Sequence, residues 1–122
     1  MSKKCFVSVP MSNRSEDDIK YTMNKMFNIA KEVFDDPDME MLDTLYDFNT
    51  VGTNNIPQLY CLGKALTELS FADYFIGPED CARYNGCKVE LIQAKHHYIP
   101  TFQLDVENNY FMPDIYPPDT PF

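Results

Sequence analysis

A carboxylate follows an Asn-Gly pair at helical spacing in the second half of the sequence. In the stretch YNGCKVELIQAKHHYIPTF, residues 84–102, Glu90 comes four residues after Gly86. On a helix this spacing places both residues on one face, with the carboxylate about 6 Å further along the axis. Backbone amides at a helix N-terminus bind a hydroxyl group or a phosphate, and a fixed carboxylate stabilises or captures an electron-poor carbon. The pattern therefore predicts one ligand, held at Asn85 and Gly86 and faced by the Glu90 carboxylate.

Strands and helices alternate along the sequence, and this alternation must position Glu90. The segment 39–46 fits a helix or a strand, and its length and the Pro-Asp before it favour a strand. We expect a flavodoxin-like three-layer α/β fold, with a parallel sheet of four or five strands and helices on both faces. The predicted strands are 4–9, 39–46, 72–78 and 99–104, and the predicted helices are 16–34, 58–70 and 86–98.

Local signals support the first two helices. Ser15 is a candidate N-cap with Asp18 three residues later, and Pro57 suits the entry of the second helix. The apolar positions at helical spacing are Ile19, Met23, Met26, Phe27, Ala30 and Phe34 in the first helix and Leu59, Leu62, Leu66 and Leu69 in the second.

Ligands of an open parallel sheet bind beyond the carboxyl ends of the strands, where the strand order reverses. Three predicted loops meet the third helix at this edge, namely 10–15, 47–49 and 77–86. Glu90 is expected to face this crevice. Because it lies near a helix N-terminus, the helix dipole is expected to keep it ionised.

Length and charge exclude several classes of protein. The 122 residues suit one compact domain, and the net charge is −9. Such a field repels nucleic-acid polymers and anionic membranes, and the ten Lys and Arg residues are scattered. A single small anion remains compatible with the sequence, because backbone amides and one Arg can bind it locally.

Neither a metal nor another cofactor is expected. The cysteines Cys5, Cys61, Cys81 and Cys87 include no CxxC pair. His96 and His97 are adjacent on a predicted helix, so they point about 100° apart and cannot share one metal ion. The first residues fit neither a signal peptide nor a membrane span. The expected location is the cytoplasm.

Three motifs resemble the nucleoside 2-deoxyribosyltransferase superfamily, which includes short phage and bacterial members and deoxynucleoside monophosphate N-glycosidases. They are VSVPMS after the first strand, the ADYFIGP strand, and NGCKVELIQAKHHYIPTF. The most specific element is Gly86, Glu90 and Ala94 at intervals of four, behind Ala72-Asp73. The resemblance covers residues 4–104.

The resemblance implies a role for each matching residue. Glu90 is implied as the nucleophile that attacks the anomeric carbon, and Asp73 as a sugar-binding or orienting group. In the glycosidase branch the loop that opens at Pro10 and the mouth of the third helix hold a 5'-phosphate. By position, that role falls to Ser12, Asn13, Arg14, Asn85 and the Gly86 amide. The first loop lacks the glycines of many relatives, and Asn85 stands where many have Ser.

The departing base needs a proton or a hydrogen bond. Asp47, Asn49, Asp73 or a carboxylate of the C-terminal tail could supply it, and the sequence does not choose among them.

Each site residue also has a structural interpretation. Glu90 fits a solvated helix position and Arg14 a solvated loop position. Asp73 can cap amides at a strand start, and Asn85 can serve as an N-cap.

The sequence thus predicts an α/β domain, 1–104, that binds a nucleoside or nucleotide and cleaves or transfers its N-glycosidic bond. The first alternative is a protein that binds or sequesters the nucleotide without turnover, and the second is an interaction module with an acidic surface. The acidic tail, 105–122, is rich in Pro and aromatic residues. We expect it to dock on the same or a neighbouring subunit of a homo-oligomer, and favour the neighbouring one.

Overall fold

The computed structural model of the chain describes residues 2–10, 14–44, 57–78, 83–105 and 110–113. Among these residues, no helix has the length and apolar character that crossing a bilayer requires. The strands are β1 (Lys4–Val7), β2 (Glu40–Met41), β3 (Tyr74–Pro78), β4 (Thr101–Asp105) and β5 (Tyr110–Pro113). The helices are α1 (Glu16–Val33), α2 (Pro57–Leu69) and α3 (Asn85–His96).

The strands form one sheet in the order β2-β1-β3-β4-β5. The first four are parallel, and β5 pairs antiparallel with β4. The order 2-1-3-4 is that of a flavodoxin-like doubly wound sheet. The predicted fold class is therefore confirmed, and the strand order reverses between β1 and β3.

The predicted strands differ from the observed ones by one or two residues at their ends, except β2, which is much shorter, and β5, which was not predicted. β2 is limited to Glu40–Met41, although Leu42 still donates its N–H to Cys5 O at 2.9 Å. This strand lies at the sheet edge and pairs only with β1, so little fixes its length. β5 lies in the predicted tail, where acidic and Pro-rich composition hid it. Its four residues pair with β4 of their own chain, so this part of the tail docks on the same subunit, which is one of the two expected placements.

Helix α1 covers one face of the sheet. Ser15 caps it as predicted, because the Ser15 hydroxyl accepts a hydrogen bond from the Asp18 N–H at 3.1 Å. Ile29 belongs to the buried stripe, whereas Phe27 and Phe34 are only partly buried. The buried core on this side comprises Cys5, Val7, Val9, Ile19, Met23, Met26, Ile29, Ala30, Met39, Ile76 and Leu104.

Helices α2 and α3 cover the opposite face. Leu59 was expected in the core but is 60% exposed, and Ala65 contributes the buried position instead. Helix α3 begins with Asn85, and its N-cap is Tyr84, so the N-cap interpretation of Asn85 is wrong by one residue. The buried core here comprises Phe6, Leu42, Ala65, Leu69, Phe75, Cys87, Leu91 and Ala94.

Candidate functional site

Alternation along β1 directs one hydroxyl towards α3. Cys5 and Val7 belong to the core under α1, whereas Phe6 belongs to the core under α2 and α3. Successive side chains of a strand point to opposite faces, so Ser8 shares the face of Phe6. Ser8 is 2% exposed and directly follows the last residue of β1. It therefore lies at the carboxyl edge of the sheet, beneath α3.

Glu90 meets this hydroxyl from above. On α3 the buried residues Cys87, Leu91 and Ala94 mark the face that packs on the sheet, and Glu90 lies within that face. The Ser8 Oγ–H donates a hydrogen bond to Glu90 Oε1 at 2.7 Å. The prediction that the carboxylate faces the crevice agrees with this contact. The solvated helix position that was its structural alternative does not, because Glu90 is only partly exposed and is bonded to Ser8.

The pairing register places two further residues, one on β3 and one on β4, level with Ser8. Val7 pairs with Ile76, and the Ser8 N–H donates to Ile76 O at 2.8 Å, so Ser8 is level with Gly77. Gly77 in turn pairs with Gln103, whose side chain is 7% exposed. Gly77 carries no side chain. The row formed by Ser8, Gly77 and Gln103 therefore has a depression at its central residue. This row forms a polar floor at the switch point between β1 and β3.

Burial sets the charge of Glu90. It raises the pKa of the Glu90 carboxyl to about 7, and the hydrogen bond from Ser8 opposes part of that rise. This shift is opposite in direction to the expected effect of the helix dipole. Glu90 is the sixth residue of α3, beyond the first turn in which the dipole acts strongly. Near neutral pH the ligand-free carboxyl is divided between its neutral and charged forms.

Asp73 lies at the amino ends of the strands, opposite the end at which Ser8 lies. Its Oδ2 accepts a hydrogen bond from the Lys4 N–H at 2.8 Å, and its own N–H donates to Lys4 O at 2.7 Å. Lys4 and Ser8 are four strand positions apart, which is about 13 Å. The structure therefore does not bring Asp73 to Glu90. Asp73 caps the start of the sheet, as its structural interpretation proposed.

Arg14 is engaged within its own chain. Its guanidinium donates to Asp18 Oδ2 at 2.7 Å, to Pro10 O at 3.0 Å and to the Thr22 hydroxyl. The hydrogen bond from Arg14 lowers the pKa of the Asp18 carboxyl. Arg14 thus ties the loop after β1 to the first turns of α1, and Pro10 contributes its carbonyl to that link. The solvated interpretation of Arg14 is wrong, because its bonds hold it partly buried.

Among the described residues, nothing closes the mouth of α3. Tyr84 makes no side-chain cap, and the first turn holds no acidic residue. Asn85 is exposed, and a Cβ added at Gly86 would meet nothing within 4 Å. Within the part of the chain that the structure describes, no atom therefore crowds Gly86, one turn before Glu90. Ser12, Asn13, Asp47 and Asn49, the other predicted ligand contacts, lie outside the described residues.

Sequence reasoning missed Ser8 and Gln103. A hydroxyl in the apolar run KCFVSV was the available signal for Ser8, because its alternation with Phe6 fixes its face. For Gln103 the sequence held no equivalent signal, since its position depends on the register between β3 and β4.

Comparisons with protein-family models, curated proteins and solved structures give no match to this chain. Its function is therefore argued from the site and from the motifs quoted above.

Proposed function

We propose that this protein binds a nucleoside or its 5'-monophosphate and cleaves or transfers the N-glycosidic bond through Glu90. The observation that carries the proposal is the partly buried contact between Glu90 and Ser8 at the switch point of the sheet. A carboxyl withdrawn from water destabilises the fold when it is charged, and such groups cluster at functional sites. The resemblance to the deoxyribosyltransferase superfamily supplies the reaction class.

The open mouth of α3 suits the 5' end of such a ligand. Gly86 leaves room for a hydroxyl or a phosphate to approach the first backbone amides of the helix. Glu90 follows one turn later on the same face, about 6 Å along the axis. This separation is comparable with the distance between the 5' group and the anomeric carbon of a nucleoside.

The chemistry proposed for Glu90 has two steps. In the first, the ionised carboxylate gives an electron pair to the anomeric carbon, and the electrons of the carbon–nitrogen bond leave with the base, which takes up a proton. In the second, water or another base attacks the same carbon. The bond between sugar and Glu90 breaks, its electrons return to the carboxylate, and the nucleophile loses a proton. Developing positive charge on the sugar is stabilised by the carboxylate throughout.

The pKa of about 7 favours one alternative function. A neutral carboxyl donates a hydrogen bond and does not attack carbon, so the same pocket could hold a nucleotide without cleaving it. In both cases we place the protein in the cytoplasm, as a homo-oligomer whose subunits complete one another's sites.

The test is incubation of the wild-type protein with a panel of deoxynucleosides, ribonucleosides and their monophosphates, followed by chromatography for free base. Release of base from at least one of them is expected. Calorimetry on the same panel identifies the ligand-only alternative, which requires binding without release. The absence of both binding and release would contradict the proposal.

A further inference from the structure

Ser8 is a buried polar group next to apolar residues of its own face of the sheet. It is 2% exposed, and Phe6 and Phe75 on the same face of the sheet are fully buried with stacked rings 5.6 Å apart. A buried hydroxyl without a partner destabilises a fold. Its contact with Glu90 Oε1 meets that need. An apolar residue would satisfy packing here, so the hydroxyl is explained by the carboxyl above it.

The position of Ser8 is rigid. Its backbone N–H is bonded to Ile76 O, and the preceding strand β1 pairs with β3 up to Val7. A side chain at the end of a paired strand is held more precisely than one on a loop. Ser8 therefore offers a fixed donor against which a longer, more flexible Glu side chain can be oriented.

We propose that Ser8 is a positioning residue for Glu90, and that its hydroxyl holds Oε1 so that Oε2 is the oxygen presented to the ligand. This inference rests on the proposed function for its consequence in catalysis. The hydrogen bond assigns the two oxygens different tasks. One electron pair of Oε1 is engaged by Ser8, and Oε2 keeps its electron pairs for the anomeric carbon. Loss of Ser8 would let the carboxyl rotate among several orientations, of which few direct an oxygen at the ligand.

Among the described residues, no charged group is a cause of the shift in the Glu90 pKa. Level with Ser8, the strands supply Gly77 and Gln103. On α3 the titratable neighbour one turn back is the buried Cys87 thiol. On α2, burial raises the pKa of the Cys61 thiol, which is neutral at pH 7, and the exposed Lys64 lies over the Tyr60 ring. Burial and the Ser8 hydrogen bond are the two causes that shift the pKa of Glu90.

The experiment compares Ser8→Ala and Ser8→Thr with the wild type. Val9→Ala is the matched control, because Val9 is also buried at this end of β1 but faces α1. Turnover is measured from pH 5 to pH 9 with the best substrate of the panel. The titration of the Glu90 carboxyl carbon is followed by NMR in the ligand-free proteins.

In Ser8→Ala we expect turnover at pH 7 to fall by about ten- to a hundredfold, the effect of losing one hydrogen bond to a charged group. The acid limb of its pH profile and the Glu90 titration should both move to higher pH, since the donor that favours the charged form is gone. Ser8→Thr keeps the hydroxyl and should restore turnover to within about fivefold of wild type, while Val9→Ala should change neither pH midpoint.

Two results would overturn the role of Ser8. One is a Glu90 titration in Ser8→Ala that matches the wild type, and the other is wild-type turnover at pH 7 in that variant. If the wild type itself releases no base, the proposed function fails separately. The NMR titration then still decides whether Ser8 holds the carboxyl.

Discussion

At the scale of single residues, Glu90 combines two opposing influences on its charge. Burial raises the pKa of the Glu90 carboxyl, and the hydrogen bond from the Ser8 hydroxyl lowers it in part. The resulting pKa is about 7. A ligand with a positive or polarised sugar carbon would favour the charged form further. Under the proposed reaction, the residue would react when the site is occupied and remain partly neutral when it is empty.

Replacement of Glu90 by Gln should abolish base release while nucleotide affinity stays within about tenfold of wild type. The amide keeps the shape of the carboxylate but cannot attack carbon, and a nucleophile contributes chiefly to the transition state. Turnover and calorimetric binding are measured side by side. Glu32→Gln, an exposed position on α1, is the charge-matched control and should behave as wild type. Wild-type turnover in Glu90→Gln would refute the nucleophile.

The same variant should also reveal how folding stability depends on pH. The Glu90 pKa is about 7 in the folded protein against an ordinary value of 4.5, so folding favours the protonated form. This contribution is complete below pH 4.5 and is lost as the pH rises to about 7. The advantage of Glu90→Gln in free energy of unfolding should therefore grow by up to about 3 kcal/mol between pH 5 and pH 8. Urea denaturation at both pH values measures it, and an advantage independent of pH would disprove the burial of a titrating carboxyl.

The residue scale also shows where sequence reasoning ends. Spacing alone placed Glu90 on the same face as Gly86, because helical geometry is local. Asp73 was grouped with Glu90 because its motif precedes the helix, yet its carboxylate bonds to the Lys4 N–H at the opposite edge of the sheet. Which end of a strand a residue occupies is set by pairing between distant segments, and that information is not local.

At the scale of elements, α3 is a weakly amphipathic helix that opens without a side-chain cap. The C-terminal end of α3 is capped by backbone hydrogen bonds. Tyr98 adopts φ 61°, its N–H donates to Lys95 O, and the Ile99 N–H donates to Ala94 O. These bonds satisfy the last carbonyls of the helix. The amino end, by contrast, leaves its first amides uncapped by Tyr84, which suits a ligand at that end.

Gly86→Ala should raise the stability of the protein and weaken the binding of its ligand. Ala favours a helix over Gly by about 1 kcal/mol, and a Cβ at Gly86 meets nothing, so the variant should be more stable. If a ligand approaches the helix mouth, the same methyl group should weaken its binding at least about tenfold. Gly63→Ala on α2 is the matched control, since a Cβ there also meets nothing. It should stabilise the protein without any change in affinity, and equal affinities in both variants would exclude the helix mouth as a contact.

At the scale of the whole molecule, the alternation of strands and helices was enough to predict the doubly wound sheet. Each apolar run is short and each connection permits a right-handed crossover, so few topologies remain. The fifth strand could not be predicted from its composition, because its Pro-rich surroundings are untypical of a sheet. Its antiparallel pairing with β4 covers what would otherwise be an exposed edge next to Leu104 and Gln103.

Two truncations test what the tail does. A chain ending at Asp105 loses β5, and with it the ladder that protects β4, so its free energy of unfolding should fall by about 2–4 kcal/mol at roughly 1 kcal/mol for each hydrogen bond lost. It should also associate through the freed edge in a concentration-dependent manner. A chain ending at Pro113 keeps β5 and should retain the stability of the full chain. Urea denaturation and sedimentation of the two truncated chains and the full chain provide the comparison.

If the chain ending at Pro113 loses its oligomeric state while keeping its stability, residues 114–122 serve a neighbouring subunit. Unchanged stability in the chain ending at Asp105 would instead show that β5 contributes nothing to the sheet.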